Sequence, residues 1–339
     1  MTQALKEFLD WRKHGYADTQ ALGECLRALV SEGLDHLPMP ASGQTLERWQ
    51  ALACVAAHDL GLCKLYEGHT DALAIMQELG AVIPEPGTTW GMWAAEPPTA
   101  RVSVSGKGDS LRLNGRKAWC SGAAVLSHAL ITAWDEENRQ QLVAVALDQP
   151  GIHIATSGWR AVGMGATGSI EVQFEQATAS TVGTPGAYLT RAGFWHGGIG
   201  IAACWYGASC ALAQRLLQQA GKSEEPHALA HLGAVDTALY SASQLLQAAA
   251  LSLDRTPEDN AEQLARRCRA HVEHTAEQVI HHVGRALGAT PYCKDAHFAR
   301  LIADLPVFLR QSHAEKDLAI LGQLASKASN SPWGAAWQP

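Results

Sequence analysis

The sequence predicts an α+β protein built as an N-terminal helical domain, a central antiparallel β-barrel or sandwich, and a C-terminal four-helix bundle. Three changes of periodicity predict it. Apolar residues recur at helical spacing to about residue 85, alternate with period two between about 88 and 182, and return to helical spacing from about Tyr188 to Leu324. The implied domain boundaries are 1–87, 88–187 and 188–339.

In the first part, Leu5, Phe8 and Leu9, then Leu22, Cys25, Leu26 and Leu29, mark two amphipathic helices. A Pro/Gly/Ser cluster at 37–43 interrupts them, and helical pattern resumes from Thr45 to about Leu79. In the second part, Val102 and Val104, then Leu111 and Leu113, alternate with polar residues, and Asn114-Gly115 reads as a hairpin turn. Further strands are expected at Ala129–Trp134, Leu142–Leu147, Ile152–Ile154 and Ile170–Phe174. The third part reads as four helices over about 189–221, 226–253, 258–287 and 294–324. Thr256-Pro-Glu-Asp259 has the chemistry of a helix start, with a capping hydroxyl, a proline and two acids. Rods of this length joined by short connections pack as an antiparallel bundle.

The chain has 339 residues, 47% hydrophobic and 17% charged, an ordinary globular balance. With 26 Lys and Arg against 33 Asp and Glu, the net charge of −7 argues against a nucleic-acid partner. No apolar run reaches the ~18–20 residues of a membrane span, and the start of the chain has no signal-peptide core. The eight cysteines include no CxxC pair and read as reduced thiols, so a cytoplasmic location is expected.

Two apparent motifs fail on context. Gly163-Met-Gly165-Ala-Thr-Gly168 matches a dinucleotide fingerprint, but a strand follows it where a phosphate-binding helix is required. His271, His274, Glu277, His281 and His282 share one helix, yet the paired Glu-x-x-His sets of a di-iron bundle are absent, so no metal is expected.

Four segments between about 90 and 215 carry a more specific signal. Trp93-Ala-Ala-Glu96-Pro97 is similar to a T-E-P segment, and Leu113-Asn-Gly-Arg-Lys-Ala-Trp119-Cys-Ser121 to L-N-G-x-K-x-W-I-T/S. The run from Gly163 to Phe174 is similar to G-M-R-G-S-x-T-x-x-L-x-F, and Gly200-Ile-Ala-Ala-Cys-Trp-Tyr-Gly207 to G-I-A-A-x-x-x-G. In this order the chain resembles the acyl-CoA dehydrogenase family of flavoproteins, with a shortened N-terminal domain. The resemblance implies FAD, with Trp119 against the flavin ring and Ser121 at its edge. Trp93, Ala95 and Glu96 run beneath the ring, their backbone N–H groups serving it. It also implies oxidation of an acyl-CoA or acyl-carrier-protein thioester at Cα–Cβ with hydride transfer to flavin N5, in a homodimer or homotetramer.

The departures are informative. Positions where the family carries its proton-abstracting glutamate fall at Ser312 and near Gly197, leaving His313 or Glu315 as candidate bases beside Ser312. The family's Arg-x-x-Phe-Gly, which reaches the flavin pyrophosphate of a neighbouring subunit, is replaced at Gln218–Lys222, so Arg285 or His282 is the candidate substitute. The absent glutamate also suits a second reading, a flavin-dependent monooxygenase of the same fold, with His196 or His313 at the pocket. A third is a divergent, non-catalytic homologue. The Ala- and Leu-rich stripe of Ala202, Ala203, Ala208, Ala211 and Leu212 serves either subunit association or the bundle's own core.

Overall fold

The computed structural model describes residues 2–12, 15–82, 84–222, 225–328 and 333. Helices α1 (Thr2–Asp10) and α2 (Thr19–Ser31) bury the expected Leu5, Leu9, Leu22, Cys25, Leu26 and Leu29. The helical pattern over 45–79 forms two helices, α3 (Thr45–His58) and α4 (Leu60–Glu78). The break has a local cause: Asp59 is extended, and its carboxylate accepts from the Leu62 N–H as the cap of α4.

The β layer has eight strands: β1 (Trp90–Trp93), β2 (Val102–Ser105), β3 (Arg112–Cys120), β4 (His128–Trp134), β5 (Gln140–Ala146), β6 (Ile152–Ile154), β7 (Ile170–Thr178) and β8 (Ser180–Val182). Their order is β6-β7-β3-β2-β4-β5-β8, with β1 also on β4. Most pairings are antiparallel as expected, but β1 and β2 both run parallel to β4. This is a correction to a wholly antiparallel layer. β1 is delivered by α4 from below the sheet, and no hairpin connects it to its partner.

A second correction concerns Asn114-Gly115. These residues lie inside β3, where Ser103 faces Asn114 and Val102 faces Gly115, and the β2–β3 turn is at 106–110. The pair instead makes a bulge against β7, with the Asn114 amide oxygen accepting from the Gln176 N–H at 3.0 Å. Glycine is needed at 115: φ is +116°, and a Cβ would stand 2.3 Å from the Arg101 carbonyl oxygen.

The C-terminal part contains α5 (Ala187–Thr190), α6 (Gly193–Ala220), α7 (Pro226–Arg255), α8 (Glu262–Leu287), α9 (Thr290–Lys294), α10 (Ala296–Phe308) and α11 (Glu315–Ser326). Two expected bounds shift for visible reasons. Thr256 closes α7 through its N–H to Ser252, and α8 begins only at Glu262, whose N–H is taken by the Asn260 side chain. The fourth rod is interrupted over 309–314. There the Ser312 hydroxyl accepts from the Ala314 N–H and Asp317 accepts from the His313 N–H, so polar side chains end one helix and start the next.

One continuous core runs from α1 through the inner face of the β layer to α10, and a smaller cluster of Ala72, Ile75, Met76, Trp90, Leu130, Leu142 and Val182 seats α4 on the sheet. Ala202, Ala203, Ala208 and Leu212 are buried within that core, which assigns most of the α6 stripe to the chain's own packing. Gly207 lets α6 and α3 touch, since a Cβ there would lie 2.1 Å from the Ala53 carbonyl oxygen. All eight cysteines are free thiols. Among the described residues no helix is long and apolar enough to cross a membrane.

Candidate active site

Two segments of the β layer hold the residues singled out by the sequence. In β3 the pairing to β7 shifts register between Lys117 and Cys120, and Trp119 takes φ +58° at this bulge. Left-handed backbone at a tryptophan is costly. Its result is an indole that is 58% exposed instead of packed in the barrel. Ser121, two residues on, bonds the Ser169 hydroxyl at 2.7 Å, and Ser169 bonds Thr167 at 2.8 Å. A cavity of about 520 Å³ opens beside the same loop at Gly165, Gly168 and Ile170.

Trp93 is buried, and its indole N–H donates to the Ser121 carbonyl at 3.2 Å, so it anchors the bulge. Glu96 is also structural through its side chain. One oxygen accepts from Thr132 at 2.6 Å and from the buried Lys117 ammonium at 3.4 Å, and the other from Trp134 at 3.0 Å. Burial lowers the Lys117 pKa and Glu96 opposes that shift. This clamp fixes the backbone from Trp93 to Glu96. The N–H groups of Ala95 and Glu96 take no partner among the described residues. An exposed aromatic face, a hydroxyl chain and free N–H donors on fixed backbone form a donor set that fits a planar heteroaromatic ring.

The candidate bases lie on one short segment between α10 and the start of α11. Ser312 is buried and engaged with Ala314, while Glu315 is exposed at the start of α11. His313 is 71% exposed, with Asp317 3.8 Å from its ring. No hydrogen bond joins this segment to Trp119 or Ser121 among the described residues. His282 pairs with His231 on α7 at 2.9 Å, beside a cavity of about 410 Å³ between α7 and α8, and Arg285 is exposed on the same helix. His196 is buried, and its Nε2 has no partner among the described residues. Burial lowers its pKa, and the charges nearest it are Glu78, Arg191, Asp254 and Glu258.

The sequence reading missed an ionic cleft between α4, the start of α6 and α8. Lys64 and Glu67 form a 2.8 Å pair on α4, and Asp71, one turn on, is held by the buried Arg48 at 2.9 Å. Burial pushes the Glu67 carboxyl up, which Lys64 only partly offsets. Burial alone lowers Lys64, but Glu67 and Asp71 outweigh it and the net direction is upward. Gly197 and Gly198 of α6 face this cleft. A Cβ on the first would meet Asp71 at 3.8 Å and on the second Arg269 at 4.0 Å, with nothing else nearer than 4 Å. Arg269 in turn bonds the carbonyls of Gly198 at 2.8 Å and Gln311 at 3.0 Å, tying together the two segments next to Gly197 and Ser312. The sequence signal was available: Lys64, Glu67 and Asp71 stand at one-face spacing on a helix with a largely buried, mostly apolar surface.

These elements, in this order, define the acyl-CoA dehydrogenase-like fold. Residues 82–177 match the family model described as acyl-CoA dehydrogenase, middle domain. Over the whole chain the structure is similar to methanesulfinate monooxygenase MsuC from Pseudomonas fluorescens, with a TM-score of 0.78 at 18% identity, covering 98% of this chain and 97% of that one. It is similar to KijD3 in complex with FMN and a dTDP-amino-keto sugar, with a TM-score of 0.76 at 17% identity, covering 98% and 92%. FMN-bound TdsC from Paenibacillus sp. A11-2 gives 0.75 at 18%, covering 99% and 96%. No curated protein sequence matches the chain.

Proposed function

We propose that this protein is a flavin-dependent monooxygenase using reduced FMN. One observation carries the reading. By the family resemblance, the positions of a dehydrogenase's α-proton base fall at Ser312 and near Gly197, neither a carboxylate, and the cleft beside them is lined by ion pairs. Oxygen transfer needs no such base. MsuC and TdsC are monooxygenases, and the TdsC and KijD3 structures contain FMN, which supports the same cofactor here. The replacement of the pyrophosphate-reaching arginine at Gln218–Lys222 also favours the mononucleotide over the FAD implied by the family resemblance.

When bound and reduced, flavin supplies the electrons that activate O₂. The chain's own residues then have separable tasks. Trp119 would hold the face of the ring, Ser121 and the Ala95 and Glu96 N–H groups would orient its edge, and the Lys117–Glu96 clamp keeps those donors fixed. The Lys64–Glu67 pair and Arg269 form the substrate side. The three-domain division at 87/88 and 187/188 and a homodimer or homotetramer belong to this proposal. Exposed Leu217, Leu229, Tyr240 and Leu251 supply an apolar surface for association.

The thioester dehydrogenase remains the second reading because Glu67, a buried carboxyl raised toward neutrality, has the character of a base. The test is spectroscopic. Protein loaded with FMN and mixed anaerobically with a panel of acyl-CoA thioesters should keep its flavin absorption, and the same protein in air should consume O₂ only when an external reductant is supplied. Bleaching by a thioester alone overturns the monooxygenase reading and establishes the dehydrogenase.

A further inference from the structure

Arg269 differs from every other cation of the cleft. Arg48 is paired with Asp71, Lys64 with Glu67, Arg266 with Asp317 and Glu262, and Arg310 with Glu273, all between 2.6 and 2.9 Å. The Arg269 guanidinium meets no carboxylate within ion-pair distance among the described residues. Its partners are two neutral carbonyls, Gly198 at 2.8 Å and Gln311 at 3.0 Å, and the face of Trp205 at 4.9 Å. A guanidinium carries five N–H donors, so three are unused. Asp317, Glu273 and Glu67 act on it only from beyond ion-pair distance and do not offset its burial, so its charge gains more from an arriving anion than a cation already paired in contact.

The surroundings leave room for such an anion. Gly197 and Gly198 remove two side chains from the wall of α6 directly beside Arg269, and Asp71 borders the far side. The Asp71 carboxylate disfavours a second negative charge on anything that fills this space.

We propose that Arg269 is the substrate-binding cation of this cleft, and that the substrate is a small organic molecule with one oxoanion group, a sulfinate, sulfonate or carboxylate, docked on the free N–H edge with its body over Gly197 and Gly198. The fate of that substrate rests on the oxygen-transfer reading, but its binding does not. A bidentate guanidinium contact requires two acceptor oxygens on one atom, which a carboxylate, a sulfinate and a sulfonate each offer, and the paired glycines limit selection to a short body.

Calorimetric titration of the full-length protein, with and without FMN, tests this with propanesulfinate, propanesulfonate, butanoate, the dianion succinate and uncharged dimethyl sulfoxide. The three monoanions are expected to bind, and their ranking identifies the acid type. Succinate and the sulfoxide bind about 10-fold more weakly or not at all. Arg269→Gln weakens the monoanions about 30-fold, the loss expected for a charge-assisted contact, and Arg269→Lys restores part of it. Because Arg269 also ties Gly198 to Gln311, Gly198→Ala is the control for a misfolded Arg269 variant. Its methyl enters open space 4.0 Å from the Arg269 side chain, so folding is kept while butanoate binding weakens. Absence of monoanion binding, equal binding of the sulfoxide, or an unchanged affinity in both Arg269→Gln and Gly198→Ala overturns the proposal. FMN binding is read separately. Anion binding without FMN binding sinks the flavin reading and leaves Arg269 its role, whereas FMN binding without anion binding does the reverse.

Discussion

Replacing Asp304 by Asn isolates the charge of one buried carboxyl at the junction of bundle and β layer. Asp304 is 2% exposed and accepts from the Met164 N–H in the loop that leads to Thr167 and Ser169. Burial pushes its pKa from 3.8 up to about 6, with Asp59 adding to the rise and the Met164 bond and Arg300 opposing it. The native state therefore binds more protons than the unfolded chain between those two values. The stability contributed by the neutral carboxyl is fully present below pH 3.8 and is lost as pH rises through about 6. At ~1.4 kcal/mol per pH unit, the ionised form costs about 3 kcal/mol above pH 7. Asp304→Asn keeps an acceptor oxygen for Met164 and removes the charge. Urea unfolding of both proteins should give nearly equal stability at pH 4 and a variant more stable by up to about 3 kcal/mol at pH 8. A difference that stays constant over this range, or is largest in acid, refutes the argument that burial of the charge dominates this site. Asp304→Ala, which removes the acceptor as well, should destabilise at every pH.

Trp119→Ala should leave thermal stability within about 1 kcal/mol, since the indole packs on little of the chain, yet weaken FMN binding by about 10-fold or more from lost stacking. Fluorescence titration of FMN checks it, and equal affinities would remove Trp119 from the ring wall. Gly163→Ala puts a Cβ 2.0 Å from the Ala303 carbonyl oxygen on α10. The helix or the loop must then move, with a loss of about 3 kcal/mol in a thermal melt; a change under ~0.5 kcal/mol would show that the junction is loose. Lys117→Met leaves the Glu96 carboxylate without its cation and should cost about 2–4 kcal/mol, of which Lys117→Met combined with Glu96→Gln regains part. An additive double mutant in denaturant titration would argue that the two groups act independently.

Helix and strand positions were readable wherever a single periodicity decided them, as at Leu22–Leu29 or Ile152–Ile154. The misplaced bounds share a cause: a polar side chain chose between two local structures that apolar spacing cannot tell apart. Asp59 sets the boundary between α3 and α4, Asn260 displaced the start of α8, and Asp317 with Ser312 divided the last. Asn114-Gly115 carried a true glycine requirement, but the close Arg101 carbonyl imposed it from the neighbouring strand. At the candidate site, the segments around Trp93, Trp119 and Ser121 were found because their order is distinctive. The Glu96 carboxylate, by contrast, carries no sequence signal for its commitment to Thr132, Trp134 and Lys117, which come from β4 and β3. Arg269 was invisible because its significance lies in what it lacks, and only three-dimensional pairing reveals which arginine of the cleft has no acid within ion-pair distance.

The parallel seating of β1 and β2 on β4 has a consequence for how the chain can be assembled and cut. Both early strands wait for a partner that leaves the ribosome later, so a nascent chain ending before residue 128 presents two unmatched edges. A truncation at the 84–87 linker also removes α4, which covers Trp90 and Leu130. Attempts to express the helical and sheet portions as separate fragments should yield insoluble material, and co-expression of the two halves is the arrangement under which complementation has a physical basis.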